Sequence, residues 1–252
     1  EFSFVLKEAN GSTLQTKTNA ANGTVTFDKI SYTLADVENS PFEYTISEVI
    51  PSDAVNANGT TYADASDYEK SLGGFKKNGI TYDETVYDIE VELEDDGAGH
   101  ITATADKTGA AVGFTNDYTA EGELVLSGEK TLLGRVLAAG EFSFVITDAD
   151  GNVIDTKQNA ADGSFTFDTL TYSLADMVDG QGSYSQTAQK TYYIYEYKDT
   201  AKTDIEWDPH TADNKYEVTV SLTDNEDGTI TAAPSDSTLK YSFVCLQQES
   251  SA

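Results

Sequence analysis

Four polar side chains stand out because each lies on a strand-like segment that is otherwise apolar or aromatic. Lys130 lies in ELVLSGEKTLLGR, Glu48 and Glu196 end the segments YTISE and YYIYE, and Asn116 lies between the aromatic residues of FTNDY. Residues two apart in a strand point to the same face, so Asn116 shares a face with its two aromatic neighbours. If these faces are buried, an amine, two carboxyl groups and an amide leave water together and need partners. These four residues are therefore the candidates for chemistry.

The segments that carry these residues occur twice along the chain. Matching segments keep their patterns while the connections between them differ in length, as expected for a duplicated domain. Three pairs show the repeat: EFSFV at Glu1 and Glu141, TVTFDKISYTLADV at Thr24 with SFTFDTLTYSLADM at Ser164, and YDIEVEL at Tyr87 with YEVTVSL at Tyr216. The segment DYTAEG separates the copies. We predict one domain over residues 1–118 and a second over residues 123–252.

Each copy has the sequence pattern of a β-protein. EFSFVL, TVTFDKI, YDIEVEL and HITATA alternate apolar and polar residues and are rich in Val, Ile, Thr, Tyr and Phe. Asp-Gly and Asn-Gly pairs, which favour tight turns, separate many of these segments. The short SYTLADV and TYSLADM stretches are expected to form a helical turn. The pattern predicts an all-β chain with one β-sandwich per copy.

Copy two contains a strand that copy one does not show. This strand, ELVLSGEKTLLGRVLAAG, precedes the second EFSFV, whereas copy one begins at EFSFV itself. The equivalent strand of copy one is therefore expected upstream of Glu1, and the chain is expected to be part of a longer protein. An open first-strand position predicts either a frayed edge or strand exchange between molecules.

The composition excludes several classes of function. The 252 residues carry a formal net charge of −29, which repels nucleic-acid phosphates and anionic lipid headgroups. No run of about 18 apolar residues is present, so we expect no membrane insertion. Cys245 is the only cysteine, so no intrachain disulfide can form. Aromatic residues make up 11% of the chain and favour a folded core over disorder.

The order of five motifs resembles a known family. K-x-L-x-G-R-x-L followed by G-E-F-S-F, then F-D-x-[IL]-x-Y, Y-x-I-x-E, Y-[DE]-[IV]-x-V and F-T-N-x-Y resemble the isopeptide-linked pilin domains of Gram-positive pilus shaft proteins and surface adhesins. The resemblance spans nearly the whole chain twice. It implies immunoglobulin-like (collagen-adhesin B-type) β-sandwiches, exported and anchored at the cell wall, whose partners are neighbouring domains or subunits of a pilus or adhesin.

In that family a lysine on the first strand attacks an asparagine on the last strand, and a buried glutamate assists. An amine is nucleophilic only when neutral, and an aromatic-lined, desolvated site favours the neutral form. A buried carboxylic acid can hydrogen-bond to the amide oxygen and move protons so that ammonia leaves. Folding supplies the proximity that the reaction needs. The product is an amide crosslink that requires no cofactor and no metal, and the protein is not an enzyme in the sense of turnover on an external substrate.

The two copies match this triad unequally. In copy one, Glu48 matches the assisting acid and Asn116 the acceptor, but the lysine strand is absent. In copy two, Lys130 matches the nucleophile and Glu196 the acid, while Cys245 occupies the acceptor position. Neither copy holds a complete triad, so we predict no intramolecular isopeptide bond of the family type in this chain.

Simpler explanations exist for each feature. Asn116 could end a strand in a turn, Lys130 could blunt a sheet edge, the two glutamates could face solvent, and Cys245 could be a small buried apolar residue. The Asp-Gly segments resemble calcium loops but lack the final glutamate, and His100 and His210 have no nucleophile motif nearby. An alternative function is that of an adhesin module that binds a host surface ligand through the long connection Pro51 to Gly79.

Overall fold

The computed structural model describes residues 1–235 and 241–248. The chain divides into two compact units, Glu1–Tyr118 (unit 1) and Thr119–Ala252 (unit 2). Almost every regular element is a strand, and the prediction of an all-β chain is confirmed. Residues 236–240 and 249–252 of the domain predicted over residues 123–252 lie outside the described residues.

Unit 1 contains one large antiparallel sheet and one small sheet. The large sheet has five strands in the order β2-β1-β3-β6-β7, and the small sheet has three in the order β4-β5-β8. The strands are β1 (Ser3–Glu8), β2 (Thr13–Thr18), β3 (Phe42–Glu48), β4 (Lys76–Lys77), β5 (Ile80–Thr81), β6 (Val86–Asp95), β7 (Ile101–Ala105) and β8 (Asp117–Tyr118). Helix α1 covers Asp67–Leu72, and 3-10 turns cover Leu34–Asn39 and Gly109–Ala111.

Unit 2 contains the same large sheet and a more extensive second sheet. The large sheet has the order β12-β11-β15-β17-β18, the second sheet β13-β10-β19-β16, and β14 pairs with β9. The strands are β9 (Glu121–Leu124), β10 (Ser127–Leu133), β11 (Ser143–Asp148), β12 (Val153–Gln158), β13 (Ser164–Thr166), β14 (Leu170–Ser173), β15 (Thr187–Tyr197), β16 (Ile205–Glu206), β17 (Tyr216–Asp224), β18 (Ile230–Pro234) and β19 (Tyr241–Gln247). A 3-10 turn covers Leu174–Met177.

The two large sheets share one register, which fixes the position of both glutamates. Phe4 of β1 pairs with Glu48 of β3, and Phe144 of β11 pairs with Glu196 of β15. Both phenylalanines and both glutamates are buried. The apolar face of each large sheet therefore carries one carboxyl group at the same place, as the alternating pattern of YTISE and YYIYE indicates.

One predicted strand of copy one is wrong. TVTFDKI at Thr24 forms no strand, whereas its counterpart in unit 2 forms β13, which pairs with β10. Strand conformation depends on a hydrogen-bonding neighbour as well as on side-chain pattern. Among the described residues of unit 1, nothing occupies the position of β10, so residues 24–30 have the side chains of a strand without a partner.

The long connection after β3 is folded. Ile50, Ala54, Ala65 and Phe75 form a small buried cluster, against which Tyr62 and Tyr82 pack. Helix α1 and strand β4 belong to the same region. The connection that the alternative of a ligand-binding adhesin module assigns to ligand contact is therefore partly packed into a small core.

Candidate functional site

In unit 1, Asn116 and Glu48 meet at the end of the large sheet. Asn116 Nδ2 donates to Glu48 Oε1 at 2.9 Å, although 68 residues separate the two in sequence. The amide oxygen Oδ1 accepts the backbone N–H of Asp83 at 2.8 Å. The second carboxyl oxygen of Glu48 is buried and has no hydrogen-bonding partner among the described residues. The predicted acid and the predicted acceptor therefore form one site.

An apolar groove lies next to this site, lined by Phe4, which pairs with Glu48, and by Phe114, two residues before Asn116. Its volume is about 600 Å³, and its walls include the unpaired segment after Gly23 and the segment before Asn116. The apolar side chains that line it are Phe4, Val25, Phe27, Ile46, Val112 and Phe114. In unit 2 the counterparts of Phe27 and Phe114, Phe167 and Phe243, are fully enclosed. The groove therefore lies where unit 2 places β10.

In unit 2, strand β10 carries Lys130 into the core. Lys130 Nζ lies 2.5 Å from Glu196 Oε1 and 2.7 Å from Cys245 Sγ, and the side chains of Lys130 and Glu196 have no exposed surface. Cys245 Sγ also lies 3.3 Å from Glu196 Oε2. The Lys130 amine is 4.2 Å from the centre of the Phe142 ring. The structure thus brings together the three residues that the motif alignment places in one triad, with a thiol where unit 1 has an amide.

Burial controls the titration of these groups. It raises the pKa of Glu48, against the opposing effect of the hydrogen bond from Asn116. It also raises the pKa of Glu196, although the adjacent Lys130 ammonium favours the charged carboxylate. The thiol of Cys245 has its pKa raised to about 11 by burial. The site in unit 2 therefore holds a neutral thiol beside a lysine–carboxyl pair.

One aspartate in each unit contributes to the site without having been predicted from the sequence. The side chain of Asp83 accepts the backbone N–H of Thr115 at 2.8 Å, and that of Asp208 accepts the backbone N–H of Val244 at 2.7 Å. The backbone N–H of Asp208 points to Cys245 Sγ at 3.3 Å, just as that of Asp83 points to Asn116. Each aspartate therefore holds the residue before the acceptor and directs one N–H at the acceptor. The signal available in sequence was an aromatic-Asp pair, YD and WD, at equivalent places in the two copies.

The hydrogen bonds of the Asn116 side-chain amide differ from those that we predicted. We expected the carboxylic acid to hydrogen-bond to the amide oxygen of Asn116. The backbone N–H of Asp83 occupies that oxygen instead, so the carboxyl of Glu48 contacts the amide nitrogen. A backbone N–H can donate to a carbonyl oxygen without being protonated first. The carboxyl of Glu48 therefore lies beside the amide nitrogen of Asn116, which must depart as ammonia.

The remaining polar candidates have structural partners. His100 contacts Asp96 on an exposed turn, and His210 Nδ1 lies 2.8 Å from Asp208 Oδ1 and stacks on Tyr216. In residues 1–235 and 241–248, no group of three or more acidic, histidine or cysteine side chains is arranged to hold a metal ion. Within the same ranges, no helix has the length and apolar character to cross a membrane.

Comparisons with known proteins identify the family of this chain. The family model described as FctA, Spy0128-like isopeptide containing domain, matches residues 1–119 and again residues 126–245. No curated protein matches the chain significantly.

Solved structures of low identity also match. The chain is similar to a major pilin from Streptococcus pyogenes (13% identity, 98% of this chain and 91% of that chain, TM-score 0.27). It is also similar to the major pilin T3.2 of serotype GAS13637 from the same organism (14%, 99% and 90%, TM-score 0.23). At these TM-scores the family assignment rests on the family model, which confirms the resemblance inferred from the five motifs. The chain belongs to the Spy0128-like isopeptide containing family and carries two tandem copies of its domain.

Proposed function

We propose that the chain is a structural, load-bearing segment of a pilus shaft or adhesin stalk at the bacterial surface, and that unit 1 is closed covalently by a lysine strand. Family membership supports the structural role and association with other pilus subunits. The observation that carries the proposal is the Asn116–Glu48 hydrogen bond beside an open apolar groove. The function is mechanical, and the protein acts on no external substrate.

The geometry of unit 1 supports a specific reaction. A strand bound in the groove would bring a lysine amine to the carbonyl carbon of Asn116. The backbone N–H of Asp83 would stabilise the negative charge that develops on Oδ1 during attack. Glu48, whose pKa burial raises, would deliver a proton to Nδ2, so that ammonia leaves and a new amide bond remains. The backbone N–H of Asp83 and the carboxyl of Glu48 already contact the amide of Asn116, so the lysine is the group that an added strand would bring.

Capture of a peptide tests this proposal. The peptide ELVLSGEKTLLGR, which corresponds to residues 123–135, carries Lys130 in the strand that fills the equivalent position of unit 2. After incubation with the whole chain, denaturing mass spectrometry should show an adduct that is about 17 Da lighter than the sum of the two molecules, because one ammonia leaves. Peptide mapping should place the bond at Asn116.

Matched variants separate the reaction from simple binding. Asn116→Ala and Glu48→Gln should abolish the adduct, whereas Asn58→Ala, an exposed asparagine of the same unit, should not change it. A peptide with arginine in place of lysine should bind without reacting. A chain that binds the lysine peptide but never forms the adduct would contradict the role of Asn116 as an acceptor.

A further inference from the structure

The buried lysine and cysteine of unit 2 cannot perform the reaction proposed for unit 1. A thiol offers no carbonyl carbon to attack and no ammonia to release, and both Lys130 Nζ and Cys245 Sγ are nucleophilic atoms. Two nucleophiles can be joined only when electrons are removed from them. The contact of 2.7 Å between these atoms is therefore a site for oxidation, if an oxidant can reach it.

We propose that molecular oxygen joins Lys130 and Cys245 through a single bridging oxygen atom, as a covalent S–O–N crosslink. The step is Cys–SH + H₂N–Lys + O₂ → Cys–S–O–NH–Lys + H₂O. The S–H bond, one N–H bond and the O–O bond break, and the S–O and N–O bonds form. The sulfur and nitrogen atoms together lose four electrons, dioxygen gains them, and both protons leave in the water.

The geometry favours this bridge over separate oxidation of the thiol. Two single bonds that meet at an angle at one oxygen atom span a gap of the size seen between Nζ and Sγ, so the strands need not move. β10 and β19 are parallel neighbours, with Lys130 opposite Phe243 and Cys245 two residues further along, on the same face. The crosslink would tie the same two strands that an amide ties in the family.

The residues around Lys130 and Cys245 favour a small, neutral oxidant and include a carboxyl group that can act as a base. Lys130, Glu196 and Cys245 are all nearly or fully inaccessible to solvent, and rings such as Phe142 line the site. An apolar diatomic molecule enters such an interior more readily than hydrated peroxide or a thiol–disulfide reagent does. The carboxyl of Glu196 lies 2.5 Å from Nζ and can take the ammonium proton, which leaves the neutral amine that the step requires.

Mass spectrometry of the intact chain tests the proposal. One sample is kept under reductant without oxygen, and the other is exposed to oxygen and then denatured. The oxidised chain should be about 14 Da heavier, since one oxygen atom is gained and two hydrogen atoms are lost. Oxidation of Met177, the only methionine, would add about 16 Da and is therefore distinguishable.

Peptide mapping identifies the two residues that the crosslink joins. Trypsin should fail to cleave after Lys130, the peptides containing Lys130 and Cys245 should appear as one species, and a thiol reductant should restore both. The oxidised chain should also resist thiol labelling in denaturant and melt at a higher temperature than the reduced chain.

Variants and alternative products keep the proposal falsifiable. Cys245→Ser and Lys130→Met should each abolish the mass increase, and Met177→Leu should leave it unchanged. An unchanged mass after oxygen exposure, or sulfenic and sulfinic acids on Cys245 with a free Lys130, would overturn the proposal. A direct sulfur–nitrogen bond, which lowers the mass by about 2 Da, would overturn the bridging oxygen. None of these outcomes depends on Asn116, so the result is independent of the capture experiment.

Discussion

Lys130 and Glu196 form an ion pair whose side chains have no exposed surface. Removing two charges from water costs several kcal/mol per ion, and mutual attraction offsets that cost only with good geometry and further hydrogen bonds. In unit 2 the thiol of Cys245 and the ring of Phe142 are the other contacts of the amine. Burial of the pair is therefore weak evidence for a contribution to stability.

Restoring an amide at the changed position should restore the family reaction in unit 2. Cys245→Asn places an acceptor within reach of Lys130 and Glu196, and the N–H of Asp208 is already directed at that side chain. The variant should lose about 17 Da relative to its calculated mass and gain stability of about 5 kcal/mol, because the crosslink joins residues 115 apart in sequence.

The measurements for this variant are denaturing intact mass and urea unfolding. Cys245→Ala, which fills part of the same space without an amide, serves as the control and should keep its calculated mass. A Cys245→Asn chain of unchanged mass would show that the position of β19 does not support attack by Lys130.

Residue patterns predicted part of the site for a clear physical reason. Period-two alternation in YTISE and YYIYE places Glu48 and Glu196 on the buried faces, and the repeat aligns Asn116 with Cys245. The role of Asp83 was not predicted, because it depends on a contact between a loop and the last strand. The periodicity of a local sequence segment does not indicate a contact of this kind.

Pairing between strands decides what each segment becomes. Residues 24–30 of unit 1 and β13 of unit 2 have similar sequences, yet only β13 has a neighbour, β10. The backbone of β10 lies close to a side chain of β13 and to the backbone of β19: a Cβ atom added at Gly128 would lie 2.3 Å from the Phe165 ring and 2.4 Å from the backbone oxygen of Tyr241. Local sequence could predict the strand character of both segments but not the presence of a partner.

The close approach at Gly128 can be tested by one methyl group. Gly128→Ala should destabilise unit 2 by about 1–3 kcal/mol, because the new Cβ collides with a ring and with backbone. Trp207 is the only tryptophan and lies in unit 2, so its fluorescence reports urea unfolding of this unit.

Gly180→Ala is the matched control, since an added Cβ there meets no atom within 4 Å. It should shift the unfolding midpoint little. Equal midpoints for the two variants would mean that β10 does not pack against Phe165 as described.

At the scale of the whole chain, the two units differ in how completely their second sheets are built. Unit 2 has a four-stranded second sheet around β10, whereas unit 1 has three short strands and an apolar groove. Half-exposed Phe27 and Phe114 in unit 1 correspond to fully enclosed Phe167 and Phe243 in unit 2. Apolar surface left in water contributes no stability, so unit 1 should be the less stable unit.

Calorimetry should therefore show two transitions. We expect the lower transition to belong to unit 1 and to rise when the peptide ELVLSGEKTLLGR is added, because a ligand of the folded state stabilises it. The upper transition should coincide with the change in Trp207 fluorescence. A change in Trp207 fluorescence at the lower transition would contradict this order.

The parallel pairing of β10 with β19 has a consequence for force. Tension applied to the two ends of unit 2 pulls these neighbouring strands in opposite directions along their length, which is a shear geometry. All ladder bonds between the strands are then loaded at once rather than broken one after another. A covalent tie at Lys130 would carry that load before any ladder bond is stretched, and a tie that reductants can remove would make the extensibility of unit 2 depend on the redox state of its surroundings.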